Sequence, residues 1–157
     1  LMISQNIKNS LIELIDSKYI RDEITESYNE LKVELSELDA EIKLLSENAS
    51  NKILVVASPS LQYLSKYGFD VILINDETKN EKNVVRVNHL IENKTIDSIY
   101  ILENDKESKA LKQLKNNKNV SILTIDKISN MSDEERDNKE NYITLMKKNI
   151  ELLKKGI

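Results

Sequence analysis

The sequence predicts an α/β fold: a four-stranded parallel sheet with helices on both faces, preceded by a long helix. Three observations carry this. Four short apolar runs are continuous rather than alternating, which suits strands buried on both faces. Helical segments lie between them, giving the order β-α-β-α-β-α-β-α and hence right-handed crossovers. Ahead of them, apolar residues recur at helical spacing over more than twenty positions.

A short helix opens the chain, with Ile3, Ile7, Leu11 and Leu14 or Ile15 on one face. The long helix follows. Ile24, Tyr28, Leu31, Leu35, Leu38, Ile42 and Leu45 are spaced 4,3,4,3,4,3 with no Gly or Pro inside. From about Tyr19 to about Glu47 it would be roughly 40 Å long. A coiled coil gives the same pattern. The sheet domain that follows favours a helix packing this stripe on the domain, not on a second chain. Residues 1–48 are therefore read as a helical segment and 49–157 as the α/β lobe.

KILVVA (52–57), DVILIN (70–75), SIYIL (98–102) and VSILTI (120–125) are the four strands. Ser58-Pro59 reads as N-cap and first residue of a helix that Gly68 closes. Val84–Glu92 and Glu107–Lys115 supply the next two crossovers. Asn141–Lys155 is a last amphipathic helix with Ile143, Met146, Ile150 and Leu153 inward.

Composition excludes several functions. The chain has 157 residues, a net charge of −4 and no cysteine. Disulfides, thiolate metal sites and cysteine nucleophiles are absent. No basic stripe marks a nucleic-acid surface. The lysine runs 112–118 and 147–155 are interrupted and read as solvated helix faces. No window approaches the 18 or so apolar residues of a membrane span. A basic-then-apolar leader is also missing. The chain begins with Leu1, so it is expected to be a piece of a longer protein, and the missing leader does not fix its compartment.

Ligands of open α/β sheets bind beyond the carboxyl ends of the strands. Here that edge reads Ser58-Pro59-Ser60, then Asp76-Glu77, then Glu103-Asn104-Asp105, then Asp126. Such an oxygen-rich edge suits a hard or borderline cation, although Asp and Asn at strand ends also cap the next helix. Strand one is followed by ASPSLQYL with no glycine, which excludes phosphate-cradling and dinucleotide loops. Ala57-Ser58 stands where a phosphoacceptor domain needs an acidic pair. Ser58 and Ser60 lack a base, since the one histidine, His89, lies mid-helix away from that edge. Arg86 reads as a solvated helix charge, and Tyr63 and Tyr67 fit helix packing.

These residues resemble a family. LDAEIKLLSE (38–47) and KILVVASPSLQYLSKYGFDVILIN are similar to the end of the linking helix and first strand–helix–strand of the metal-binding lipoproteins of ABC importers. Ser58, Tyr63, Lys66, Tyr67 and Gly68 fall in register. SIYILEND places Glu103 on a family glutamate, and TIDKIS places Asp126 on the aspartate of a Thr-Asp-Ser motif. ENYITLMKKNIELLKKGI resembles the family's end at Tyr142, Met146, Asn149 and Leu153.

The resemblance implies one lobe of a two-lobe metal receptor with a long helical backbone. It implies an extracytoplasmic, lipid-anchored, monomeric protein serving an ABC permease, with the N-terminal lobe outside this chain and no enzymatic activity. The implied cargo is zinc or manganese, with none bound tightly by this chain alone. Asp126 is the implied metal ligand and Glu103 an acid behind it. Pro59 aligns with a ligand position and carries no donor; Ser60 and Asp76 stand at the site's edge. A receptor-derived interaction or adhesion module that no longer binds metal is the alternative.

Overall fold

The computed structural model describes residues 1–76, 81–116 and 120–157. Glu77 and Lys118 lie outside the described residues. The chain divides into two compact units, Leu1–Glu41 and Ile42–Ile157.

The first unit holds α1 (Met2–Leu14) and most of α2 (Lys18–Asn48), a 31-residue helix whose C-terminal turns belong to the second unit. Ile15 in extended conformation ends α1, and the Arg21 guanidinium donates to its carbonyl. The Lys8 ammonium lies 5.4 Å from the Tyr28 ring centroid. The four apolar residues of α1 do share one face, but that face is open. Ile3, Ile7, Leu11 and Leu14 are 77%, 56%, 41% and 82% exposed. Ser4, Lys8, Ile12 and Ile15 are the half-buried ones.

The second unit is the sheet lobe. Its strands are β1 (Ile53–Val56), β2 (Asp70–Leu73), β3 (Ser98–Leu102) and β4 (Ser121–Ile125), all parallel, in the order β2-β1-β3-β4. Between them lie a 3₁₀ helix (Pro59–Tyr67), α3 (Glu81–Glu92) and α4 (Lys109–Lys115); α5 (Asp133–Asp137) and α6 (Tyr142–Lys154) follow β4.

Side-chain alternation along the strands separates two faces. Val55, Ile72, Ile74, Ile99 and Ile101 point one way and pack with Val87 and Ile91 of α3 and Leu111 and Leu114 of α4. Leu54, Val56 and Tyr100 point the other way and are also buried. On that side the 3₁₀ helix lies against β1 and β2, and α6 against β4. The Tyr100 hydroxyl donates to the Leu153 carbonyl at 2.9 Å, tying β3 to the end of α6. The chain leaves β1 on one face and crosses from β2 to β3 on the other, so β1 and β3 part at the sheet's centre.

Gly68 ends the 3₁₀ helix with φ +98°. Its N–H bonds Ser65 O, and an added Cβ would lie 3.2 Å from the Ser46 hydroxyl. Gly68→Ala is expected to cost about 1–2 kcal/mol from left-handed strain. Urea unfolding checks this; an unchanged midpoint would show that the turn relaxes freely.

Candidate functional site

The carboxyl edge of the sheet gathers the residues read from the sequence and sorts them. Ser58 does not cap the 3₁₀ helix with its side chain. Its hydroxyl, 1% exposed, accepts the Leu102 N–H at 2.9 Å. It therefore bridges β1 and β3 where they part, because the Leu102 amide has lost its strand partner there. A buried N–H without an acceptor costs about 1–3 kcal/mol, so Ser58→Ala is expected to destabilise the lobe by that amount, read from urea unfolding. A smaller loss than from an exposed Ser60→Ala control would show that water replaces the hydroxyl.

Leu102 pairs with Ile125, so Glu103 and Asp126 follow on adjacent strands at the same edge. The Glu103 N–H extends the ladder to Ile125 O at 2.8 Å. Its side chain is exposed.

Asp126 is half-buried and its carboxylate Oδ1 accepts the Ile128 N–H at 2.7 Å. Ile128 takes φ +52°, a costly conformation for a β-branched residue. The Asp126 N–H donates to Asn149 Oδ1 and the Asn149 Nδ2 donates to the Asp126 carbonyl, both at 2.9 Å. Glu135 stands beside Asp126. Its carboxylate accepts Ser132 N–H and hydroxyl bonds. These two bonds hold it below the usual carboxylate range.

A cavity of about 540 Å³ opens between the 3₁₀ helix, the β4 end and α6. Asp126 and Ser60 both line it. Leu61, Leu102, Ile125 and Met146 give it an apolar floor, and Tyr63, Tyr67 and Tyr142 an aromatic wall. Tyr63 and Tyr67 meet edge to face at 6.5 Å, with the Lys66 ammonium 4.6 Å from the Tyr67 centroid. Burial pushes the Tyr63 hydroxyl above its ordinary range, helped by Tyr67 and Tyr142 and opposed by Lys66.

The other expected residues do not join this cavity. Pro59 is the exposed first residue of the 3₁₀ helix and is not among the lining residues. Glu103 stays at the edge outside it. Asp76 lines a separate cavity with residues of α3 and α4. Its carboxylate accepts the Ala110 N–H at 3.2 Å. The backbone N–H groups of Lys109 and Ala110 hold it below the usual range. Asp76 thus serves the start of α4. Arg86 is an exposed charge on α3 that pairs with Asp70 at 2.7 Å, and His89 is exposed beside Glu92. Among the described residues, no group of three or more His, Asp or Glu converges as a metal cage. Glu135 and the role of Asn149 were not read from the sequence. The Ser132-x-x-Glu135 capping pattern and a polar residue between Leu145 and Leu153 were the available signals.

The family model described as zinc-uptake complex component A, periplasmic, matches residues 2–156. The chain belongs to this zinc-uptake family. No curated protein matches it. Among solved structures it is similar to the metal-dependent lipoprotein YcdH of Bacillus subtilis, with TM-score 0.74 and 19% identity over 98% of this chain and 58% of that one. It is also similar to the Zn(II)-bound ZnuA-like domain of Streptococcus pneumoniae AdcA, with TM-score 0.67 and 21% identity over 96% and 57%. The laminin-binding protein Lbp of Streptococcus pyogenes gives TM-score 0.66 and 18% identity over 96% and 57%. The chain therefore spans less than three-fifths of each of these three structures. Their fold agrees with the parallel sheet and long preceding helix. No described helix is long and apolar enough to cross a membrane.

Proposed function

We propose that this chain is the C-terminal lobe of an extracytoplasmic, lipid-anchored solute-binding protein. The full protein would present Zn²⁺ or Mn²⁺ to the permease of an ABC importer as a monomer. The metal is cargo, and its capture and release require ligands and a small lobe movement but no covalent chemistry. The observation that carries this reading is Asp126, which lines a cavity at the carboxyl edge of the sheet in a chain of the zinc-uptake family.

This lobe's share of the metal site is incomplete. Zinc takes about four N, S or O donors at about 2.0–2.3 Å. Asp126 is one donor, with Glu103 behind it at the edge. Pro59, at the aligned ligand position, brings none. The remaining donors belong to the N-terminal lobe. The Glu135 carboxylate beside Asp126 is taken by Ser132 and does not line the cavity, so Asp126 stands there as a single carboxylate, which competes poorly with the water around a hydrated ion.

A second reading is an interaction or adhesion module derived from such a receptor. The donor-free Pro59 favours it, and the Streptococcus pyogenes relative is described as laminin-binding.

Titration calorimetry with Zn²⁺ and Mn²⁺ on the chain and on Asp126→Ala separates the two. Weak binding that Asp126→Ala removes is the expected result. Tight stoichiometric binding lost in Asp126→Ala would overturn the incomplete site. Binding indifferent to Asp126 would favour the adhesion module.

A further inference from the structure

We propose that Asn149 is a positioning residue: its buried carboxamide, reaching from α6, holds the Asp126 peptide at the end of β4 so that the carboxylate faces the cavity. The inference rests on the reading of Asp126 as the cargo ligand. Asn149 is 5% exposed and sits on α6 between Leu145 and Leu153, both buried. A polar side chain in that stripe is costly unless its hydrogen bonds are made. Here both are made, and both to one residue. Asn149 Oδ1 accepts the Asp126 N–H and Asn149 Nδ2 donates to the Asp126 carbonyl, each at 2.9 Å.

This pair imitates a strand ladder. β4 is the last strand of the sheet, with β3 on one side only. Beyond Ile125 its free backbone groups have no further strand to meet. The carboxamide presents one donor and one acceptor at the spacing of a peptide unit and replaces that strand for one residue. The consequence reaches the carboxylate through the next turn. Asp126 Oδ1 accepts the Ile128 N–H at 2.7 Å, and Ile128 holds φ +52°. That turn needs a fixed starting peptide, and Asn149 fixes it. Asn149 is also a wall of the cavity that Asp126 lines, so peptide and carboxylate are set from the same side.

Hydrogen exchange by NMR tests the positioning without metal. In Asn149→Ala, the Asp126 and Ile128 amides are expected to exchange about tenfold faster, while Ile101 in β3 is unchanged. Ile150→Val, a buried neighbour on α6, is the control for general loss of stability and should leave both amides protected. Asn149→Asp keeps the acceptor and loses the donor, so it should fall between wild type and Asn149→Ala. Unchanged protection at Asp126 and Ile128, or an equal rise across the sheet and in Ile150→Val, would overturn the proposal. If Asn149→Ala fails to fold, Asn149→Asp decides alone: a local rise at Ile128 supports the inference, and none overturns it.

A second arm reads Zn²⁺ affinity in a Ser60→His background. There Asn149→Ala is expected to weaken binding by about tenfold or more, as for other groups that orient metal ligands. Local exchange without an affinity change would keep the positioning role and overturn Asp126 as ligand.

Discussion

Tyr100→Ala is expected to lower the stability of the lobe by about 3–5 kcal/mol, the range for emptying a large aromatic site. Tyr100 lies mid-way along β3, is 1% exposed, and is the largest fully buried side chain among the described residues. Its hydroxyl donates to the Leu153 carbonyl. The ring thus fills the space between sheet and α6 while the hydroxyl caps the helix end. Tyr100→Phe separates the two contributions; the Leu153 carbonyl keeps the Gly156 N–H at 3.3 Å, so loss of the hydroxyl bond should cost about 0.5–1.5 kcal/mol.

The same tyrosine gives an alkaline signature. Burial raises its pKa, and the nearby Asp97 raises it further, against a smaller opposing effect of the Gly156 backbone. The unfolded chain ionises a tyrosine near about pH 10 while the folded chain holds the proton. The contribution is therefore complete below about pH 10 and is lost above it, at about 1.4 kcal/mol per pH unit. Urea unfolding from about pH 8 to about pH 11 should show this loss in wild type and a shallower one in Tyr100→Phe. Parallel curves would mean that the hydroxyl ionises equally well when folded.

Ser60→His is expected to raise Zn²⁺ affinity by more than about tenfold, through a second donor beside Asp126. Ser60 lines the Asp126 cavity, whereas Pro59 does not. Ser60 is exposed near the start of the 3₁₀ helix, so an imidazole is accommodated without disturbing the core. The helix start also disfavours the imidazolium and keeps the ring in its metal-binding form. Affinity should still fall short of a complete site. Calorimetry on wild type, Ser60→His and Pro59→His reads the result. Equal, negligible binding by all three would sink the metal reading and favour the adhesion module. A larger gain from Pro59→His would return the donor to the position given by alignment.

The strands were legible because a parallel sheet buries both faces, so ILVV and SIYIL stand out as unbroken apolar runs. The long helix was legible for the opposite reason, a strict 4,3 stripe. Gly68 announced the end of the 3₁₀ helix. α5 was missed because DEERD has no apolar residue to show a period, and only its capping box marks it. In the site, strand order alone brought Asp126 and Glu103 to one edge. What the side chains do there was not legible. Asp76 is committed to α4, and Ser58 to β3, through partners 34 and 44 residues away. The Asn149 partnership spans 23 residues and looks like an ordinary helix position in one dimension.

The aromatic wall of the cavity has a practical consequence. The chain has six tyrosines and no tryptophan. Three of the six, Tyr63, Tyr67 and Tyr142, border the Asp126 cavity. Near-ultraviolet emission from this chain is therefore tyrosine emission, and half of its emitters border the cavity proposed for the cargo. Occupancy of the cavity can be followed by intrinsic fluorescence without a label, with Tyr100 as a buried emitter that does not line it.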